Sequence, residues 1–401
     1  MRVLFLTMVK INSFSERGIY TDLLSKFHED GHEVFAVCPI ERREKRQTSI
    51  RKEREGIILN VKTLNLQKTN IVEKGIGTLA IEYQFLSAIK KYFSKEKFDI
   101  IIYSTPPITF YKVINFIKKR DQAYSYLLLK DIFPQNAIDM QMMKKNGILH
   151  KIFVQKEKNL YAISDTIGCM SDANRDFIIK HNPDVNPKKV EVNPNSIKPV
   201  LFSQNMEEKN SIRLKYKLPI DKKIFVYGGN LGKPQGLDFL LETIILAKDK
   251  NIFFLIVGSG TEYGRIQKWF GESRPSNALL LAGLPKQEYD LILNSCDVGM
   301  IFLHKDFTIP NFPSRLLSYL EMKMPVIAAT DLNTDIGNVI EDNKCGYKVI
   351  SGDVNGMLRA IENILCSETN FNQMKENAWR LLQKEYNVER SYTLIKEKIN
   401  V

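Results

Sequence analysis

The chain has 401 residues, 44% apolar and 26% charged, with a net charge of +12 and five cysteines that form no C-x-x-C pair. This length exceeds one ordinary core and predicts two domains, while the scattered cysteines argue against a disulfide scaffold and for a reducing compartment. No apolar run nears the ~18 residues of a membrane span, and MRVLFLTMVK is too short in its apolar part for a secretory signal.

In chain order, RVLFLTMV reads as a strand, followed by a helix over Ile19 to Asp30, the strand EVFAVC, a helix over Ile81 to Phe93, DIIIY, a helix over Ile108 to Lys119, and YSYLLLKDIF. Gly31 is placed to cap the first helix before the next strand. Strands alternating with helices predict a parallel sheet wrapped on both faces. The interval 181 to 200, HNPDVNPKKVEVNPNSIKPV, carries four prolines and four asparagines and reads as a hinge. The same grammar then restarts: KIFVYGG, the helical GLDFLLETIILAKDK, NIFFLIVGSG, the helical EYDLILNSC, DVGMIFL, a helix opening at PSRLLSYLE, and PVIAAT. The expected fold is α/β, with two doubly wound Rossmann-like domains facing a central cleft and ligands at the carboxyl ends of the strands. Residues 1–195 and 196–370 form the two domains in this reading, and 371–401 form closing helices that pack back toward the first.

Charge is unevenly placed. Residues 1 to 200 hold 33 Lys and Arg against 22 Asp and Glu, and residues 201 to 401 hold 25 against 24. The basic half therefore faces something anionic, nucleic acid or acidic lipid. The clusters at 41 to 55, 89 to 98 and 116 to 120 supply the excess, the latter two mixing lysine with aromatic and aliphatic residues as interfacial helices do. Each also reads as an ordinary solvated helix face.

Chemistry concentrates at strand ends. YGGNLGKPQGLDFLL sets Gly228, Gly229, Gly232 and Gly236 between a strand and a helix, where backbone amides can approach a phosphate and Lys233 adds a point charge. Dinucleotide binding fits less well, because the spacing is not G-x-G-x-x-G and Asp249 falls inside a helical segment; a purely structural loop is the third reading. VGSGTEYGRI, with Gly258 and Gly260, and LAGLPKQE, with Leu284, are further turns after strands. In FPSRLLSYLEMKMPVIA, Ser314 is a good N-cap residue, Leu316, Leu317 and Leu320 fall at helical spacing, and Pro325 closes the run. Arg315, in the first turn, opposes the helix dipole unless an anion neutralises both, or else it is simply solvated. Asp131, directly after a hydrophobic strand, either acts on an acceptor hydroxyl or caps the following turn. The five histidines form no H-x-x-H pattern and Asp-x-Asp is absent, so no metal site is expected.

Taken in order, SERGIYTDLLSKFHEDGHEV, STPPITF, DIFPQNA, VNPNSI, YGGNLGKPQG, IVGSG, LAGLPKQE and PSRLLSYLEMKMPVIA resemble the GT-B glycosyltransferases of family 4, in their capsule and O-antigen branch. The resemblance implies a metal-independent transferase with no cofactor. Its donor would be a UDP-sugar on the second domain, with N-acetyl-L-fucosamine or a related N-acetylated hexose as the sugar. Its acceptor would be an undecaprenyl-diphosphate-linked saccharide on the first domain, at an anionic membrane surface on the cytoplasmic face, and no nucleic acid is implied. By position, Arg315 resembles the cation on the donor diphosphate, Gly229 to Gly232 the loop beneath it, Leu284 the residue at the uracil, and Pro310, Asn311 and Phe312 the segment at the sugar. Asn230, Lys233, Gln235, Gly258, Gly260, Ser314, Leu316, Ser318 and Glu321 complete the donor side. Arg17, Gly18, Thr105 and the catalytic candidate Asp131 form the acceptor side. Two family glutamates are replaced here by Pro310 and Ser318, with Glu321 one turn later as a substitute, and the usual Arg and Lys of the glycine loop are Asn230 and Gln235. Those departures keep two other readings open: a non-catalytic assembly protein at the membrane, and a UDP-sugar epimerase of the same fold.

Overall fold

The computed structural model describes residues 1–66, 71–203 and 205–399, the side chains of 71, 72 and 74 excepted. The chain divides into two compact units, Met1–Lys198 with Asn387–Val401, and Pro199–Tyr386. The crossing at Lys198 lies three residues beyond the expected 195. The tail expected as one closing piece from 371 is divided: the helix Glu368–Glu385 stays with the second unit, and the helix Val388–Glu397 completes the first.

The first unit is built on β1 (Arg2–Leu6), β2 (Glu33–Glu41), β3 (Ser49–Lys52), β4 (Ile57–Thr63), β5 (Ile100–Ser104), β6 (Tyr124–Leu129), β7 (Thr166–Cys169) and β8 (Val190–Val192). They form one sheet in the order β3-β4-β2-β1-β5-β6-β7-β8. All neighbours are parallel except the edge strand β3, which runs antiparallel to β4. β3 arises from the basic stretch 41 to 55, where alternation is weak and the sequence reads only as charge. β1, β5 and β6 are almost wholly apolar, as strands covered on both faces must be, and side chains such as Phe5, Ile102 and Tyr126 are fully buried. Val388, Tyr392 and Ile395 of the last helix join Leu24, Phe27 and Val34 in the same core.

The second unit holds β9 (Lys223–Asn230), β10 (Ile252–Ser259), β11 (Ala278–Ala282), β12 (Val298–Phe302), β13 (Val326–Thr330) and β14 (Gly346–Ile350), all parallel in the order β11-β10-β9-β12-β13-β14. The order reverses beside β9, the topological switch point where open α/β sheets bind ligands. Phe225, Tyr227, Leu240, Phe254, Met300 and Ile327 share one core cluster. Among the described residues, no helix is long and apolar enough to cross a membrane.

Candidate active site

In the second unit, β9 runs into Gly228 and Gly229 and then into the tight turn Lys233–Gln235 before the helix Leu237–Leu246. Gly229 has φ +121°, a region that disfavours any side chain. Gly228 is required for a different reason: a Cβ there would lie 1.8 Å from the hydroxyl of Tyr289. Tyr319 closes the other side, its hydroxyl accepting from the Gly228 amide at 3.2 Å and lying 3.1 Å from Met300 O.

Arg315 opens the helix Arg315–Glu321, and its guanidinium lies over the Tyr227 ring, 4.3 Å from the centroid. Its Nη2 is 3.7 Å from where a Gly229 Cβ would stand, and its charge is also felt at Tyr319 and Tyr289. The three tyrosines hold the planar cation in place through stacking and packing. Nη1 is buried and has no hydrogen-bond partner among the described residues. A buried guanidinium donor left unmet costs on the order of 1–3 kcal/mol, a deficit that an anion beside Gly229 would remove.

The rest of the expected donor side separates into groups. Asn230 and Lys233 are exposed at the loop, and Asn230 Nδ2 donates to Gln235 Oε1 at 3.2 Å. Gly232 is buried against them. Leu284 is half-buried just after β11, and Ser318 is half-buried on the Arg315 helix. Asn311 donates its amide to Thr334 Oγ1 at 3.0 Å, and the Phe312 ring lies 6.0 Å from that of Tyr386. Ser314 precedes the helix as expected, yet its side chain makes no capping bond.

Several expected ligands have structural duties. Gly258 and Gly260 are needed because Gly229 O and Leu231 O lie 2.0 and 2.2 Å from where their Cβ atoms would be, so these glycines let two loops touch. Leu316 is fully buried in the core, and Pro310 is buried as well. Glu321 is 3% exposed, and its carboxylate accepts from the Val200 amide at 3.0 Å, so it fixes the chain where the second unit begins.

In the first unit, Asp131 follows β6. Both carboxylate oxygens accept from Asn136 Nδ2 at 2.8 Å, and loss of solvent pushes the carboxyl pKa up to about 6. Thr105, expected beside the acceptor, is 1% exposed. Its hydroxyl accepts from the Lys130 amide at 2.9 Å and lies 3.2 Å from Asp131 O, so it clamps the strand end. Gly18 donates its amide to Asp22 at 3.1 Å, while Asp22 also accepts from the Lys198 amide at 2.8 Å; Arg17 beside it is half-buried.

Three groups escaped the sequence reading. Lys130 donates its ammonium to Asn193 O at 3.2 Å, and burial brings its pKa down to about 7. Glu157, which accepts from the Tyr161 hydroxyl at 2.9 Å, is pushed up to about 7 by burial. Asn136 holds Asp131. Perturbed groups gathered in one region are a mark of a working site, but Lys130 ends an apolar run and Glu157 lies in the charged stretch QKEKN, with no motif to flag either. Among the described residues, no cluster of three or more His, Cys, Asp or Glu is arranged to hold a metal.

The model of the family described as "Glycosyl transferases group 1" matches residues 208–380. A probable glycosyltransferase, WbjE of Pseudomonas aeruginosa, is 21% identical over 300 residues, covering 74% of this chain and 73% of its own. A putative colanic acid biosynthesis glycosyl transferase, WcaI of Escherichia coli K12, is 26% identical over 180 residues, 44% of each chain. The solved structure of Anabaena HepE in complex with UDP covers 100% of both chains with a TM-score of 0.71 at 12% identity. Residues 208–380, within the second unit, thus resemble the glycosyl transferases group 1 family, and the chain as a whole has the GT-B fold.

Proposed function

We propose that this protein transfers a sugar from a UDP-sugar to a lipid-diphosphate-linked acceptor in polysaccharide biosynthesis. The observation that carries the reading is Arg315, held over Tyr227 beside Gly229 with a buried donor unmet. Such a group is made for a diphosphate, whose oxygens accept from a guanidinium in paired fashion. UDP in the HepE structure supports uridine as the nucleoside, and the description of WcaI supports polysaccharide biosynthesis. Diphosphate binding by Arg315 and the Gly229 backbone requires no divalent ion in this reading.

On the acceptor side, Asp131 binds the attacking hydroxyl. In the transfer, the acceptor oxygen bonds to the anomeric carbon as the bond from that carbon to the diphosphate breaks. UDP departs with the electron pair, and the ionised Asp131 takes the hydroxyl proton. An N-acetylated hexose such as N-acetyl-L-fucosamine is the first donor to test. Pro310 and Ser318 stand where family members carry glutamates, and this favours a second reading: a protein that binds the nucleotide or the membrane without turnover.

The deciding measurement is thermal unfolding with UDP in the presence of EDTA, followed by incubation with a panel of UDP-sugars with and without lipid-linked acceptor. UDP is expected to raise Tm by several degrees in the wild type and by less than one degree in Arg315→Ala, since loss of one charge-assisted pair costs about 2–5 kcal/mol of binding. No shift with any nucleotide sinks the reading. Binding without turnover selects the assembly protein, and conversion without acceptor selects the epimerase.

A further inference from the structure

The three basic clusters that the sequence singles out keep exposed cations, among them Arg46, Lys52, Lys91 and Lys95, but little exposed apolar surface beside them. In 41 to 55, Arg42, Arg43 and Arg51 are paired with Glu73, Glu41 and Glu53, and Ile50 is the only large apolar side chain left exposed there. In 89 to 98, Ile89, Phe93 and Phe98 are buried. In 116 to 120, Lys118 is paired with Asp165 and Arg120 with Asp121.

A different surface combines the two properties. In the loop after the short helix Gln135–Asp139 and the first turn of the long helix Ile148–Ile163, Met142, Ile148 and Leu149 are 66%, 80% and 59% exposed. Single exposed apolar residues are ordinary, but a group of them within eight residues of chain is not. Lys144, Lys145 and Lys151 are interleaved with them, exposed and without an ion-pair partner among the described residues. No acidic residue occurs from 140 to 156. Unpaired lysines around apolar tips are complementary to phosphate headgroups over acyl chains; a protein partner would have to supply its own acids to such a surface.

We infer that Met142, Ile148 and Leu149, with Lys144, Lys145 and Lys151, form the surface by which the first unit docks onto an anionic lipid bilayer. The support is shared with the proposed acceptor residues. Ala137 O, in the same short helix as Asn136, accepts the amides of Met142 and Met143 at 2.8 and 3.1 Å, and Asn136 in turn holds the Asp131 carboxylate. Docking there brings Asp131 to headgroup level, where the diphosphate of a lipid-linked acceptor lies. That purpose rests on the lipid-linked reading above, whereas the docking itself does not.

The test is co-sedimentation of the full chain with vesicles of phosphatidylglycerol and phosphatidylethanolamine, and with vesicles of phosphatidylcholine alone. Wild type is expected to pellet with the first and remain in solution with the second. Removing one lysine should weaken partitioning about fivefold, so Lys144→Gln/Lys145→Gln/Lys151→Gln should lose about a hundredfold. Ile148→Ser/Leu149→Ser should lose at least tenfold, and both variants should keep the wild-type Tm and UDP-induced shift. Arg43→Gln/Arg46→Gln, in the 41 to 55 cluster, should bind like wild type. Wild type that stays in solution with both vesicles, as a surface meant for a protein would, overturns the inference. So do patch variants that bind like wild type. Turnover of a short-chain, water-soluble acceptor is followed in parallel: its absence with intact vesicle binding refutes the transferase reading and leaves the docking surface standing.

Discussion

Arg315 and Asp131 illustrate two ways of holding a charge. The arginine keeps a charge that never titrates, fixed by aromatic rings and left with a donor to spare. The aspartate sits where burial works against its charge, and its pKa moves up to about 6. The consequence for pH follows from proton counting. Between about 4, the ordinary value of an unfolded carboxyl, and about 6, the folded protein holds a proton that the unfolded chain has released. Asp131 therefore makes the folded state lose stability as pH rises through that window, and contributes a constant penalty above it. Asp131→Asn is expected to flatten that part of the Tm profile. If Asp131 takes the acceptor proton, wild-type kcat rises through pH 6 and levels off, and the variant loses both the rising limb and at least a hundredfold in kcat. A variant of full activity removes Asp131 from the chemistry. Of these residues, Arg315 was legible because a cation beside a proline and serine at a helix start is chemically odd. Tyr227, Tyr289 and Tyr319 were not, since aromatic residues in apolar runs look like core until the backbone brings them around one guanidinium. Thr105 and Glu321 carry duties that the sequence does not display: both satisfy backbone groups, of Lys130 and of Val200.

At the scale of elements, alternation of strand and helix was readable because buried parallel strands are continuous apolar runs. The helix Ile148–Ile163 was missed, its opening residues being apolar on the exposed side and so breaking the usual periodicity. That helix is tied to its neighbours by one carboxylate. Glu82, fully buried, accepts from the Lys156 ammonium at 3.1 Å and from the Lys112 amide at 2.5 Å. Lys112 is the second residue of the helix Tyr111–Asp121, whose preceding residue, Phe110, offers no capping oxygen. Glu82 thus supplies from another helix the cap that the local sequence lacks. Glu82→Ala is expected to destabilise the first unit by about 3 kcal/mol, since it leaves a partly buried ammonium and a helix amide without their acceptor. Glu82→Gln should cost clearly less. Equal losses by urea unfolding would show that only the volume of the side chain matters.

For the whole molecule, the charge excess of the first 200 residues is spread over paired ions and over exposed cations such as Arg46, Lys52, Lys91 and Lys95, so net charge marks the basic half without marking one surface on it. The second whole-chain feature is that the first unit is assembled from both ends of the sequence. Val388, Tyr392 and Ile395 are at most 3% exposed, and burial of three such side chains is worth roughly 5–8 kcal/mol, comparable to the stability of an entire domain. A chain ending at Tyr386 is expected to lose the first of two calorimetric transitions while keeping UDP binding by the second unit; retention of both transitions would contradict this. During synthesis the second unit, contiguous in the chain, has all its strands available before the helix Val388–Glu397 is made. The first unit must wait with Phe27 and Val34 uncovered. Its order of completion is therefore the reverse of its order of translation, and a ribosome that stalls within the second unit leaves a basic half-domain whose open core is a target for chaperones.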